Sequence, residues 1–246
     1  MAATAFDTLA RQYDELWTDS AVGRYQREAV WRCIEPFLSP GQRMLDLGCG
    51  SGADASHFQG MGIAVKGIDA SPEMVRIAQS KGVRAECLDL RNLDELHGVY
   101  EVAISNFGAL NCVERLEDIS PLLGARIRRG GVLAICVMGP LCVWEVCHFL
   151  RRCETRKACR RWFMQPATSS IGAQVWYPRV SSIKAAFAAE FVLRSWSGIG
   201  LFVPPSYVKG LGNTVIAKCA ALDRRLAGLP GLRACCDHRL LIFERR

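Results

Sequence analysis

Three aspartates and a glycine-rich turn are the residues of this chain best suited to binding a small ligand. Asp46 lies in the apolar stretch MLDLG, Asp69 ends the stretch AVKGID, and Asp89 lies near the end of VRAECLDL. Three alternating glycines begin two residues after Asp46: Gly48, Gly50 and Gly52. Glycines let a backbone approach a ligand closely, and carboxylates accept hydrogen bonds and attract cations.

The glycine turn by itself fits two kinds of ligand. With alanine allowed at the last position, residues 48–53 satisfy the fingerprint of a turn that cradles the pyrophosphate of a dinucleotide. The Asp46 carboxylate would stand close to that anion, and two like charges about 4 Å apart repel by about 1 kcal/mol even in water. A cationic group is therefore the better occupant of this turn.

The other two aspartates extend the same ligand. Asp69 can accept hydrogen bonds from both hydroxyls of a ribose. Asp89 can accept one from an exocyclic amine, with Leu90 beside it as an apolar surface for adenine. A site for a cation, a ribose and an adenine describes S-adenosylmethionine, which carries no phosphate.

The elements that must hold these residues can be read from the hydrophobic pattern. Apolar stretches predict seven strands, namely MLDLG, AVKGID, VRAECLDL, VYEVAISN, GGVLAICVM, FVLRSWSGIG and RLLIFE. Helical spacing predicts two helices before the first strand and further helices between most of the others. This alternation predicts an α/β fold with a doubly wound, mostly parallel sheet, in which the loops after residues 47, 69, 89 and 106 line one crevice.

Residues 139–180 interrupt the alternation. LCVWEVCHFLRRCETRKACRRWF predicts one long helix with an apolar stripe and a basic face, followed by the β-like stretch AQVWYP. We interpret this segment as a cap inserted after the fifth strand. The chain then forms one domain with four parts: a helical lid at 1–39, a cofactor-binding core at 40–138, the substrate cap at 139–180, and the C-terminal part of the core sheet at 181–246.

Four stretches resemble, in order and spacing, the motifs of class I S-adenosylmethionine-dependent methyltransferases: LDLGCGSG, GIDASPEMV, AECLDLRNL and VYEVAISNFGALNCV. The following RRGGVLAICVM resembles the next strand of that family, and FDTLARQYDELW resembles the lid of the subgroup that includes the ubiquinone and biotin pathway methyltransferases (type 11/25). The resemblance covers residues 40–140 and implies a Rossmann-like fold. It also implies S-adenosylmethionine as cofactor and S-adenosylhomocysteine as product.

The resemblance also implies which residues bind the cofactor. The methionine part would lie on the glycine turn beside Asp46, the ribose beside Asp69, and the adenine beside Asp89. The implied cofactor-binding residues are Tyr13, Asp46, Gly48, Gly50, Gly52, Asp69, Ala70, Asp89, Leu90 and Asn106. Two structural alternatives stay open, because Asp89 could cap the following helix and Tyr13 could pack within the lid.

The fold does not name the methyl acceptor. After the fourth strand the chain has SNFGALNCV instead of the Asn/Asp-Pro-Pro-Tyr/Phe signature of enzymes that methylate nucleic-acid amino groups, which disfavours nucleic acid. Aromatic residues of the cap offer apolar surface, so we expect a small, apolar or lipid-like acceptor, methylated at oxygen. The expected substrate-binding residues are Phe107, Asn111, Trp144, Trp176 and Tyr207. A protein or peptide substrate and a non-catalytic protein of the same fold are the alternatives.

A carboxylate and an imidazole in the cap suggest a catalytic base. Glu145 and His148 are three residues apart, so a helix places both on one face. The carboxylate would raise the basicity of the imidazole and fix its tautomer, which suits it to taking a proton from a hydroxyl. We expect Glu145, His148 and Tyr177 to be catalytic, although His148 could instead only satisfy a polar partner. The remaining histidines are weaker candidates: His57, His97 and His238.

Composition sets the remaining expectations. The 246 residues carry a net charge of +7, and the stretch RRCETRKACRR at 151–161 could meet an anionic substrate, a nucleic acid or an acidic membrane surface. It lacks the interleaved aromatics of nucleic-acid binding, so peripheral membrane contact and a solvated helix face stay open.

The twelve cysteines show no Cys-x-x-Cys pair, so we expect no metal. Without a signal peptide or a long apolar run, we expect a cytoplasmic protein, and the sequence indicates no oligomeric state.

Overall fold

The computed structural model describes residues 2–163, 166–169 and 172–246, with side chains from Ala5 onward. Its strands are β1 Arg43–Leu47, β2 Ala64–Asp69, β3 Arg84–Cys87, β4 Tyr100–Ser105, β5 Ile127–Met138, β6 Ala167–Thr168, β7 Gln174–Val175, β8 Phe191–Ile199 and β9 His238–Arg245. Seven of them form one sheet in the order β3-β2-β1-β4-β5-β9-β8, while β6 and β7 form a separate antiparallel pair. The first five strands are parallel, and β9 runs antiparallel to both of its neighbours. This confirms the predicted α/β fold with a mostly parallel, seven-stranded sheet.

Helices cover both faces of the sheet. They are α1 Ala2–Tyr13, α2 Ala21–Ile34, α3 Ala53–Gly60, α4 Pro72–Ser80, α5 Leu116–Arg126, α6 Val143–Leu150, α7 Thr155–Ala158, α8 Arg160–Phe163, α9 Val180–Phe187 and α10 Asn213–Leu226. Buried residues of α5 and α9 belong to the apolar cluster on one face, and those of α2, α3 and α4 to the cluster on the other. Strands in such a sheet are buried on both sides, which explains why they read as continuous apolar runs.

Alternation along the central strands assigns each side chain to one of the two clusters. On β5, Leu133 and Ile135 lie in the cluster beneath α5 and α9, whereas Ala134 and Cys136 lie in the cluster beneath α2 and α3. Successive side chains of a strand point to opposite faces, so one short strand contributes to both cores. The strands are thereby fixed in register, and their carboxyl ends are held at one edge.

The predicted long cap helix is wrong, because three short helices replace it. The helix α6 ends at Leu150, and Cys153 adopts a left-handed backbone conformation with φ of 58°. A helix of L-residues cannot continue through that conformation. The chain therefore turns before α7 and α8, and the predicted β-like stretch AQVWYP contributes only the short strand Gln174–Val175.

Helix α1 and the one-turn π-helix Asp14–Thr18, both within the predicted lid, lie beside the carboxyl ends of the central strands. Ser51 of the glycine turn donates a hydrogen bond to Asp14, and Ser71 at the start of α4 donates one to Asp7. Within the described ranges, no helix is long and apolar enough to cross a membrane.

Candidate active site

A cavity of about 400 Å³ lies at the carboxyl ends of β1, β2 and β4. Ten of the residues expected to bind cofactor or substrate line it: Tyr13, Gly48, Gly50, Asp69, Ala70, Asp89, Leu90, Asn106, Phe107 and Trp176. Its volume falls within the range of small-molecule sites, about 300 to 1,000 Å³. Parallel strand ends bring together residues that are far apart in the sequence.

The glycine turn forms one wall of the cavity. Gly50 has a φ of 53°, and its N–H donates a 2.9 Å hydrogen bond to Asp69 Oδ2. A Cβ atom added at Gly50 would meet no other atom within 4 Å, so this backbone borders open space. Gly52 lies away from the cavity, and its Cβ would meet Val83 at 2.9 Å, so it allows the turn to pack closely.

Asp69 is held in place by the backbone. Besides the hydrogen bond from Gly50, its Oδ1 accepts one from the Ser71 N–H at 2.9 Å. Burial raises the pKa of this carboxyl, and the two backbone hydrogen bonds oppose the shift only in part. A carboxylate has about four acceptor positions, so Asp69 keeps lone pairs that can face the cavity.

Asp46 lies beneath the turn and does not line the cavity. Its side chain is 1% exposed, and its Oδ2 has no hydrogen-bond partner among the described residues. Burial, with repulsion from Asp54 as the second cause, raises the pKa of Asp46 well above its ordinary value. Burial therefore disfavours the charged form of Asp46, and its side chain does not contact the cavity directly.

Asp54 anchors several side chains around the turn. It forms a buried ion pair with Arg27 at 2.5 Å and accepts hydrogen bonds from Trp31 at 2.6 Å and from Asn106 Nδ2 at 3.2 Å. Asn106 Oδ1 is buried and has no partner within the described part of the chain. Asn106 lines the cavity and is oriented by its nitrogen, while its buried oxygen is unpartnered.

Asp89 serves as the cap that the sequence left open as an alternative. It precedes the 3₁₀ turn Leu90–Asn92, and its Oδ1 accepts a hydrogen bond from the Arg91 N–H at 2.9 Å. The Arg91 guanidinium also binds both carboxylate oxygens, at 2.8 and 2.6 Å, which lowers the pKa of Asp89. Asp89 borders the cavity, but its assignment to adenine stays a prediction.

Comparison with known proteins fits this geometry. Residues 44–131 match the family model described as a methyltransferase domain. The demethylmenaquinone methyltransferase of Mycolicibacterium vanbaalenii is 29% identical over 137 residues, which cover 54% of this chain and 58% of the relative. Residues 44–131 are therefore similar to a methyltransferase domain.

Solved structures share this fold over a longer part of the chain. The CcbJ methyltransferase of Streptomyces caelestis has a TM-score of 0.65 at 14% identity, covering 100% of this chain and 99% of its own. Magnesium protoporphyrin IX methyltransferase of Synechocystis, solved with S-adenosylhomocysteine, has a TM-score of 0.58 at 16% identity, covering 92% and 86%. At such identities the likeness shows the fold alone. The curated relative is matched over little more than half of its length.

The side chains that the sequence analysis expects to be catalytic do not line the cavity. Glu145 is 1% exposed and binds Arg160 at 2.8 and 2.9 Å and Arg161 at 2.9 Å, and it accepts a hydrogen bond from the Tyr207 hydroxyl at 2.9 Å. Burial alone would raise the pKa of Glu145, but the two arginines outweigh it and lower the pKa. Within the described residues, no hydrogen bond joins Glu145 to His148, so the predicted pair is not formed.

Other side chains expected to be catalytic or substrate-binding instead pack within the predicted cap or against it. The His148 ring packs edge-on against Phe149 and Tyr207, with centroids 5.1 and 5.6 Å away. Tyr177 is buried beneath the Arg161 guanidinium, 4.9 Å from its ring centre. Trp144 donates a hydrogen bond to the Phe202 carbonyl at 3.1 Å. None of His148, Tyr177, Trp144 and Tyr207 is among the residues that line the cavity.

Asn111 is fully buried, and its amide is already satisfied. Its Nδ2 donates to the carbonyls of Met138 at 3.0 Å and Trp176 at 2.6 Å, while its Oδ1 accepts from the Met138 N–H at 2.9 Å. Asn111 does not line the cavity, and its expected role in substrate binding stays a prediction. It fixes Trp176, which does line the cavity, against the end of β5.

Sequence reasoning missed a polar pair at the start of β9. His238 Nδ1 lies 3.3 Å from Asp237 Oδ2, and the His238 ring meets the Phe107 ring edge-on at 5.2 Å. Asp237 also binds Arg161 at 2.7 Å. The adjacent Asp-His dipeptide was visible in the sequence, but its position at the ligand-binding edge depends on the antiparallel pairing of β9 with β5.

Proposed function

We propose that this chain transfers a methyl group from S-adenosylmethionine to a hydroxyl oxygen of a small, apolar or lipid-like molecule. The observation that carries the proposal is a cavity in which the Gly50 backbone, the Asp69 carboxylate and the Asn106 amide border the same space. The methyltransferase domain over residues 44–131 supports it.

The residues present fit this cofactor. Asp69 would accept hydrogen bonds from ribose hydroxyls, and the unpartnered Asn106 Oδ1 would accept one from the amino acid ammonium. Leu88, Leu90 and Met74 supply apolar wall for the adenine. When bound, S-adenosylmethionine supplies an electrophilic methyl group on a positively charged sulfur.

Residues from separate segments of the chain enclose the cavity, which supports a small acceptor. Phe6 and Tyr13 of the predicted lid, Phe107 after β4, and Thr168 and Trp176 of the predicted cap all border the cavity. Such enclosure excludes water from a transfer reaction and favours a small molecule over a folded protein. One relative is named for demethylmenaquinone and one structural neighbour for magnesium protoporphyrin IX, and both of these are small molecules.

A surface of the predicted cap supports contact with an anionic membrane, from which a lipid-like acceptor could enter. Trp162 and Phe163 are 43% and 81% exposed and meet edge to face. Arg151 and Arg156 nearby in the sequence are exposed and form no ion pair with any described residue. Exposed aromatic and basic side chains together are typical of proteins that bind anionic lipid surfaces.

The test begins with cofactor binding. Calorimetry should detect S-adenosylmethionine binding, and incubation with S-adenosylmethionine labelled at the methyl group should move label into organic-soluble compounds of a metabolite extract. Label recovered only in protein would favour the protein-methylating alternative. Absence of both binding and transfer would contradict the proposal.

A further inference from the structure

One face of the β6–β7 pair borders the cavity at the end away from Asp69 and Asp89. Two residues of the pair and the residue after β7 line the cavity there, and we call them the β6–β7 face: Thr168, Gln174 and Trp176. We propose that the β6–β7 face is the acceptor subsite, and that Thr168 and Gln174 select a planar ring that carries two adjacent oxygen groups. The inference rests on the proposed function and names the class of acceptor that its cavity would take.

Alternation along β7 puts these side chains on the cavity side. The side chains on the opposite side form one small buried cluster: Ala167, Val175 and Tyr177. Successive residues of a strand point to opposite sides, so Gln174 and Trp176 face away from that cluster. Thr168 pairs directly with Gln174 across the two strands, and such pairs share a face. The three residues therefore form one surface toward the cavity.

The order of the sheet separates the β6–β7 face from the residues assigned to the cofactor. The strands β3 and β2, which Asp89 and Asp69 follow, lie on one side of β1, whereas β4 and β5 lie on the other. Met138, the last residue of β5, packs against the buried cluster of the β6–β7 pair. The cavity thus has one end assigned to ribose and adenine and a second end that the β6–β7 face borders.

The main chain of Trp176 is fixed at this second end. Its N–H donates a hydrogen bond to the Asn111 carbonyl at 2.8 Å, and its carbonyl accepts one from Asn111 Nδ2 at 2.6 Å. Asn111 is fully buried and is bound in turn to the backbone of Met138. A subsite needs residues that are held by their own supporting contacts, and these hydrogen bonds supply them.

Aromatic and apolar side chains give the second end a surface for a flat ring. Phe6 from α1, Phe107 after β4 and Val113 border the same cavity as Trp176. Aromatic side chains pack favourably against other rings, either edge-on or offset. A planar ring is therefore the framework that suits this part of the cavity.

The polar groups of the β6–β7 face are uncharged and available to a ligand. No described residue forms a hydrogen bond with the side chain of Thr168 or Gln174. Among the described residues that line the cavity, the charged ones are Asp69, Asp89 and Arg91, and all three follow β2 or β3. An acceptor that is polar but neutral therefore fits the second end.

The Gln174 amide can bind two neighbouring groups of one ring. Its Oε1 accepts a hydrogen bond and its Nε2 donates one. A hydroxyl and an adjacent carbonyl or second hydroxyl can therefore pair with the amide together. The Thr168 hydroxyl, directly across from Gln174, can donate or accept a further hydrogen bond. These bonds would hold the ring in one orientation toward the glycine turn, as a transfer reaction requires.

Fluorine NMR tests the subsite without requiring turnover. The full chain is labelled with 5-fluorotryptophan, saturated with S-adenosylhomocysteine and titrated with catechol, phenol or cyclohexane-1,2-diol, and Trp176→Phe identifies the Trp176 signal. Catechol should shift that signal and bind roughly 3- to 10-fold more tightly than phenol, because it forms one more hydrogen bond. Cyclohexane-1,2-diol, which is not planar, should bind more weakly than catechol. A catechol affinity equal to or below that of either other probe would overturn the assignment.

Two variants of similar shape test the polar residues. Gln174→Leu and Thr168→Val should each weaken catechol binding by roughly 3- to 10-fold and leave the affinity for S-adenosylhomocysteine in calorimetry unchanged. Gln12→Leu, at an exposed position that does not line the cavity, is the matched control. Wild-type catechol affinity in both subsite variants would contradict this inference alone. Absence of S-adenosylhomocysteine binding to the wild type would contradict the proposed function and this inference with it.

Discussion

The Phe107 ring packs edge to face on the His238 ring, with centroids 5.2 Å apart. Phe107 follows the fourth strand in sequence, and His238 begins the last. Their contact joins the wall of the cofactor cavity to the Asp237–His238 pair. An acid beside an imidazole was expected within the helix α6, but the structure forms that pair at the sheet edge.

Asp69→Ala should weaken S-adenosylmethionine binding by about 1 to 3 kcal/mol, because a buried carboxylate that accepts ligand hydrogen bonds is lost. Calorimetry measures the change directly. Asp94→Ala removes an exposed carboxylate and should leave the affinity unaltered. Equal affinities for the two variants would reject the ribose assignment of Asp69.

Gly50→Ala and Gly82→Ala form a matched pair. Both glycines have positive φ, 53° and 81°, and at neither would a Cβ meet another atom within 4 Å. Each substitution should therefore lower the free energy of unfolding by a similar amount, about 1 kcal/mol. Only Gly50→Ala should reduce cofactor affinity, since only Gly50 lines the cavity. Similar affinities in both variants would place the cofactor elsewhere.

Arg161→Met should lower the free energy of unfolding by about 3 to 5 kcal/mol, because it leaves the buried carboxylates of Glu145 and Asp237 without their shared partner. Urea denaturation followed by circular dichroism measures this. Arg156→Met, at an exposed position, should change the stability by less than about 0.5 kcal/mol. A small effect at Arg161 would show that the network contributes little to the fold.

The Asp46→Asn variant should be more stable than the wild type, by an amount that grows as the pH rises. Burial raises the pKa of Asp46, so its contribution to stability is fully present below the ordinary carboxyl pKa and is lost as the pH rises through the raised value. The neutral amide avoids that loss. The free energy of unfolding of the variant should therefore equal that of the wild type at about pH 4 and exceed it by about 1 to 3 kcal/mol above the raised pKa.

Urea denaturation over a pH series tests this expectation. The control is Asp94→Asn, whose difference in stability from the wild type should not change with pH. A variant less stable than wild type at neutral pH would mean that the Asp46 carboxylate is satisfied in the folded protein.

Membrane contact should depend on the cap surface. The wild type should sediment with vesicles of phosphatidylcholine and phosphatidylserine, less with phosphatidylcholine alone, and less as salt is raised. Arg151→Glu/Arg156→Glu and Trp162→Ser/Phe163→Ser should each reduce sedimentation. Arg128→Glu/Arg129→Glu makes the same charge change at exposed residues near the opposite end of β5 and should not. Equal loss in all variants would indicate a non-specific charge effect.

The local parts of the site were predictable from the sequence. The glycine turn and Asp69 belong to a strand–turn–helix–strand unit that is continuous in the chain, so its residues are brought together by short connections. Asp89 was less certain, because a residue that follows a strand can bind a ligand or cap the next turn. It caps the next turn and pairs with Arg91, and its role toward adenine stays a prediction. Tyr13 lies at the cavity, yet its helical spacing fitted packing equally well.

By itself, the sequence determined the fold class, the order of strands along the chain and the turn at which a cofactor can bind, because hydrophobic periodicity and glycine placement act over a few residues. Only the tertiary structure decided the partners of the polar side chains. The break at Cys153 brings Arg160 and Arg161 to Glu145, and the insertion of β9 between β5 and β8 brings His238 to Phe107. Such pairings join residues far apart in the chain, and they depend on which buried charges and which strand edges find each other during folding.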